Sequence, residues 1–114
     1  MNILLTGASR GIGAASYELL RARGHKVVGH STRGGSDLIA GDLTHPDAPR
    51  RIWDEAVARL GTIDALVNNA GIYEGSDMDA SDADWQAAWT RTLAVNLTST
   101  ADLCRLAVQH FKAN

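Results

Sequence analysis

Thr6-Gly7-Ala8-Ser9-Arg10-Gly11-Ile12-Gly13 is the stretch that decides the fold of this chain. Before it stands the apolar run Ile3-Leu4-Leu5; after it apolar residues recur at Ile12, Ala15, Leu19 and Leu20. The run suits a strand buried on both faces, and the recurrence suits a helix. A glycine turn between the two leaves free backbone N–H groups at the positive end of the helix dipole. Such a turn is an anion site. Gly7 permits the tight turn, Gly11 lets backbone approach a pyrophosphate, and Gly13 allows the helix to lie close on the sheet.

Working outward, Gly24 stands where a C′ glycine ends the first helix. Val27-Val28 predicts a second strand and Leu38-Ile39-Ala40 a short third one. Thr44 is the expected N-cap of a second helix, with Pro46 and Asp47 in its first turn. That helix buries Ile52, Ala56, Val57 and Leu60 and stops at Gly61. Ile63 to Val67 reads as a fourth strand with Asp64 at its entrance, and Tyr73 to Ala80 as a polar loop. Ser81 then caps a helix whose face carries Trp85, Trp89 and Leu93, expected as packing residues. Leu97, Ala101, Cys104, Val108 and Phe111 continue a helical stripe, with Cys104 at a core position.

Strands alternating with helices imply an α/β fold. Right-handed crossovers give a Rossmann-type doubly wound parallel sheet of order 3-2-1-4. Residues 1–114 read as one dinucleotide-binding segment, cut short before a fifth strand. Ligand belongs at the carboxyl ends of strands one and four, where the winding reverses.

Composition narrows the function further. With 11 Lys+Arg against 13 Asp+Glu, the net charge of −2 gives no general pull toward nucleic acid or anionic lipid. One cysteine excludes an internal disulfide framework, and no Cys/His cluster has metal-ligand spacing. No apolar run approaches the roughly 20 residues of a membrane helix, so a cytoplasmic location is expected. His25, His30, His45 and His110 fall in separate elements and form no ligand pair.

Three residues separate Gly7 from Gly11, where the usual dinucleotide fingerprint has one. This TGxxxGxG form resembles the short-chain dehydrogenase/reductase family. Asn68-Asn69-Ala70-Gly71 after the fourth strand is similar to the family's NNAG element, and Asn96-Leu97 to its N-[LV] pair. With Asp42-Leu43 after the third strand, the four matching elements run in order over nearly the whole chain. The resemblance implies cofactor contacts from Gly7, Ser9, Arg10, Gly11, Ile12 and Gly13 in the turn. It implies that Asp42-Leu43 contacts adenine and that the Asn69-Ala70-Gly71 backbone lies beside the adenine ribose. It also implies that Thr6 and Asn68 tie strands one and four together, and that Asn96 is the helical catalytic asparagine.

An acidic residue ending the second strand would favour NAD by binding a ribose 2′-hydroxyl. Here the chain runs Gly29-His30-Ser31-Thr32-Arg33, with no carboxylate before Asp37. Ser31 and Thr32 can donate hydrogen bonds, and Arg33 with Arg10 suits a 2′-phosphate. NADP is therefore the expected cofactor. NAD is the alternative, should Asp37 fold back onto the ribose.

The resemblance further implies hydride transfer to or from a small carbonyl or alcohol, with a Tyr, a Lys four residues later and a Ser handling the proton. Neither Tyr17 nor Tyr73 is followed by that Lys. Of the family's catalytic set, Asn96 alone is matched here. Two arrangements are consistent with this. In one, a carboxyl-terminal segment supplied separately completes an enzyme; in the other, a homo-oligomer built through the long helix is a non-catalytic nucleotide-binding module. A methyltransferase-like site fits less well, because S-adenosylmethionine has no pyrophosphate for the glycine turn.

Overall fold

Parallel strands cannot be joined by hairpins, so each must be reached by a crossover. The structure, a computed structural model, describes residues 1–114. Its four strands are β1 (Asn2–Leu5), β2 (Lys26–Ser31), β3 (Leu38–Ala40) and β4 (Ala65–Val67). They form one parallel sheet in the order β3-β2-β1-β4. The helices are α1 (Gly11–Ala22), α2 (Ala48–Leu60), α3 (Asp82–Leu93) and α4 (Ser99–Ala113). A π-helical turn, Ala94–Thr98, joins the last two.

Alternating side chains divide the core between the two faces of the sheet. Leu4, Val28 and Ile39 pack with Ile52, Trp53 and Ala56 of α2 and Leu103, Leu106 and Ala107 of α4. Leu5 packs on the opposite face with Ala8 and Tyr17, joined by Val27 and Leu38. Asp64 stands at the entrance of β4, where its carboxylate accepts the Asn2 N–H at 2.7 Å.

Several local expectations change. In α1 the buried residues are Gly13 and Tyr17, whereas Ile12 and Leu19 are 80% and 52% exposed. The cause is Gly13, whose missing side chain presses that side of the helix against the turn. Tyr17, one helical turn later, follows it inward. Thr44 does not cap α2; its N–H and hydroxyl both donate to the Asp42 carboxylate, at 3.0 and 2.7 Å. The helix starts at Ala48, and Pro49 rather than Pro46 occupies its first turn. Ser81 does cap α3, its hydroxyl accepting the Asp84 N–H at 3.1 Å.

The expected packing faces of α3 and α4 point outward. Trp85, Trp89 and Leu93 are exposed, as are Leu97, Cys104, Val108 and Phe111. The opposite face of α4, carrying Ser99, Leu103, Leu106 and Ala107, covers the sheet. Two apolar stripes run along this helix, and the heavier one is free.

β2 and β3 are parallel neighbours joined by residues 32–37 alone, about half the dozen residues such a crossover usually needs. The chain doubles back through left-handed backbone at Gly34 (φ 72°) and Asp37 (φ 67°). Asp tolerates that region and β-branched residues do not. Asp37→Val is expected to lower unfolding stability by about 1–2 kcal/mol, while Asp37→Asn changes it by less than about 0.5. Urea denaturation of the three proteins measures both.

Candidate cofactor-binding site

A cleft of about 430 Å³ opens at the carboxyl ends of the strands, beside the junction of β1 and β4 where the winding reverses. Its floor is the glycine turn. Gly7 and Gly11 both take positive φ, 67° and 59°, which side chains disfavour. A Cβ on Gly7 would lie 2.8 Å from the Ala70 Cα, and one on Gly13 would lie 1.8 Å from the Gly7 carbonyl oxygen. A Cβ on Gly11 would meet nothing within 4 Å. Positions 7 and 13 are therefore closed by the protein itself, and position 11 opens to solvent.

Thr6 fixes the turn to β4. Its hydroxyl oxygen accepts the N–H groups of Asn69 (3.1 Å) and Ala70 (3.0 Å), and its own N–H donates to the Val67 carbonyl. The second half of this tie comes from Asn69, not Asn68. The Asn69 amide donates to the carbonyls of Thr6 and Gly7, at 3.2 and 3.0 Å. Asn68 follows the exposed end of β4 and donates instead to the Cys104 sulfur at 3.3 Å. Successive side chains beyond a strand point to opposite sides, and the sequence pair Asn-Asn does not say which faces inward.

The cleft gathers most of the expected residues. Ser9, Arg10 and Ile12 line it with Gly7 and Gly13, and Asn69, Ala70 and Gly71 form the wall above β4; Gly11 is exposed and does not line the cleft. Ser31, Thr32, Asp42 and Leu43 form the opposite wall. The Ser31 hydroxyl is committed to the Gly34 carbonyl at 2.9 Å, leaving Thr32 as the freer donor. Arg33 is exposed and does not line the cleft. Asp37 lies with Tyr17, Arg21 and Lys26 in a separate hollow, away from the cleft. Asp42 is held below the usual carboxylate range by its bonds from the Thr44 hydroxyl and N–H.

Asn96 sits in the π-helical turn, a local widening that recurs at functional sites. Its side chain holds the Ile72 backbone at both ends, donating to the carbonyl at 2.7 Å and accepting the N–H at 2.8 Å. Both polar atoms of the Asn96 side chain are thus occupied in fixing the loop that leaves Gly71. Ile72 and Val95 line the cleft beside it. His30 is a residue that sequence reasoning missed: it is buried and forms part of the floor. Periodicity gave no sign of it, because β2 runs three residues beyond its apolar pair.

The short chain dehydrogenase family model matches residues 1–114. The chain belongs to the short-chain dehydrogenase family. It is 34% identical to a cis-4-hydroxycyclohexanecarboxylate dehydrogenase of Sinomonas cyclohexanicum, over 96% of this chain and 49% of that protein. A short-chain dehydrogenase from Burkholderia cenocepacia, solved in complex with NADP, superposes with a TM-score of 0.84 at 30% identity. That match covers 96% of this chain and 50% of the other. An NADH-dependent reductase complexed with NAD superposes at 0.85 with 27% identity, over 97% and 52% of the two chains. The chain thus spans about half the length of the short-chain dehydrogenases it matches.

Thr6 carries the tie within this family member. Thr6→Val removes the acceptor of two N–H groups and is expected to cost about 2–4 kcal/mol of stability. Thr6→Ser keeps the oxygen and loses a methyl, for about 1 kcal/mol. Chemical denaturation of both variants separates the hydroxyl from the packing.

Proposed function

We propose that this chain forms the cofactor half-site of an NADP(H)-dependent oxidoreductase that moves hydride between a nicotinamide and a small carbonyl or alcohol. The single observation that carries the reading is the glycine turn. Its backbone lines the cleft from Gly7 to Gly13, fixed there by the close approaches at those two glycines, and at Gly11 it stays bare of any neighbour within 4 Å of a Cβ. These residues fit a dinucleotide: the turn and the start of α1 for the diphosphate, Asp42 and Leu43 for adenine, and Asn69 to Gly71 beside the ribose. When bound, the cofactor supplies the hydride-accepting or hydride-donating ring.

Arg10 and Thr32 in the cleft favour the 2′-phosphate form. The acidic rival, Asp37, faces a different hollow. Relatives twice as long, and the lack of a Lys four residues after either tyrosine, support proton transfer by residues outside this half-site. In this arrangement Asn96 is a positioning residue, holding Ile72 where the wall of the cleft turns toward α3.

Titration by tryptophan quenching is expected to rank NADP+ above NAD+. Arg10→Glu removes a charge-assisted contact and adds repulsion, weakening NADP+ by about tenfold or more while NAD+ changes little. Ser31→Asp is expected to invert the preference. Equal loss for both cofactors in Arg10→Glu contradicts the placement of the 2′-phosphate, and no binding of either one contradicts the function.

The free stripe of α4 favours a second reading, a nucleotide-binding module that pairs with another copy of itself. Leu97, Val108 and Phe111 are 62%, 50% and 41% exposed, and apolar surface gathered in one stripe marks an interaction face. Sedimentation of the chain decides it: this reading requires a dimer that Leu97→Glu and Val108→Glu disperse without changing cofactor affinity.

A further inference from the structure

We propose that His30 is a positioning residue that couples the glycine turn to the adenine wall, and that it does so only as a neutral ring, so dinucleotide affinity falls in acid. The inference rests on the dinucleotide reading of the cleft.

The ring lies between two backbone groups that dictate its proton. On one side the Gly41 carbonyl lies 2.8 Å from Nε2, and a carbonyl can only accept. On the other side the Gly7 N–H points at Nδ1 from 3.3 Å, and an N–H can only donate. Both bonds are made by one species, the neutral ring with its proton on Nε2. A second proton on Nδ1 would face the Gly7 N–H, donor against donor.

The two bonded residues stand at the start of the floor and just ahead of the adenine wall. Gly7 opens the glycine turn, and Gly41 immediately precedes Asp42. The main chain reinforces the link, because the His30 carbonyl accepts the Ala8 N–H at 2.7 Å and the Ser31 carbonyl accepts the Gly41 N–H at 3.1 Å. The neutral ring therefore sets the separation of the surfaces between which the adenosine end would lie.

Burial to 2% exposure pushes the ring below the usual histidine range, against the opposing pull of the Gly41 bond. Charged groups near it are few. β1 and β3, the strands flanking β2, contain no ionisable residue. The cleft adds Arg10 from the turn and Asp42 from the loop after β3, with His45 3.8 Å from Asp42. The charged residues of α2 (Arg50, Arg51, Asp54, Glu55 and Arg59) are all exposed, as are Glu18 and Arg21 of α1 on the other face of the sheet. The sign follows from linkage. The unfolded ring takes its proton first, so the stabilising contribution is complete above the ordinary histidine value and is lost as pH falls through the lower folded value.

His30→Gln is the discriminating variant. A glutamine amide offers an N–H donor and an oxygen acceptor about as far apart as the ring nitrogens, and it does not titrate. NADP+ affinity is measured from pH 8 to pH 5 in the full chain, in His30→Gln and in His30→Ala. The 2′-phosphate titrates near pH 6 in all three, so the readout is the difference between curves. His30→Gln is expected within about threefold of the parent at pH 8, and the parent to lose about tenfold more affinity than it by pH 5. His30→Ala is expected to bind about tenfold more weakly at pH 8. Nitrogen-15 spectra of the unliganded protein are expected to show protonated Nε2 and bare Nδ1. Superposable pH curves for parent and His30→Gln, parent-like binding by His30→Ala, the opposite tautomer, or tighter parent binding in acid would each overturn the coupling. If the parent binds neither NADP+ nor NAD+ at pH 8, the dinucleotide reading itself falls, and the coupling with it.

Discussion

Helix α1 can begin where it does because position 13 has no side chain. The Gly7 carbonyl oxygen occupies the place where a Cβ would project, 1.8 Å away. That approach brings the helix amino terminus over the end of β1, so its free amides and dipole converge on one spot. The approach also rotates Tyr17 inward and leaves Ile12 on the cleft wall. The neighbouring contacts then become obligatory: Asn69 must reach the carbonyls of Thr6 and Gly7, and Thr6 must accept from the chain that leaves the adjacent strand β4.

The order of strands and the place of the cleft were legible because both follow from short-range pattern. Apolar runs bounded by glycine, alternating with helical spacing, leave few topologies once crossovers must be right-handed. The matched family model and the sheet order β3-β2-β1-β4 agree with that reading. Orientation was less legible. Which face of α1 is buried depends on the backbone of Gly7, not on the hydrophobicity of Ile12 or Leu19. Thr44 looked like a helix cap, yet Asp42 stands two residues before it and captures both its donors. Asn68 and Asn69 are chemically identical, and only the direction of the chain beyond β4 separates them.

α4 shows the same limit from another side. Leu97, Cys104, Val108 and Phe111 form a good apolar stripe, but Leu103, Leu106 and Ala107 form another. Periodicity finds both and cannot say which one meets the sheet. The π-helical turn at Ala94–Thr98 was equally invisible, since widening by one residue leaves apolar spacing almost unchanged. Its effect is local and chemical: it lets Asn96 hold Ile72 at both backbone groups.

The tie between Thr6 and Asn69 spans 63 positions of the chain. A polypeptide emerging from the ribosome therefore has β1, α1 and the whole glycine turn in hand long before the acceptor and donors that fix the turn can meet. Closing a loop of that length is unfavourable until the packing of β4 compensates it. Any dinucleotide the cleft accepts would therefore favour the state in which β1 and β4 are paired over forms in which they are still apart.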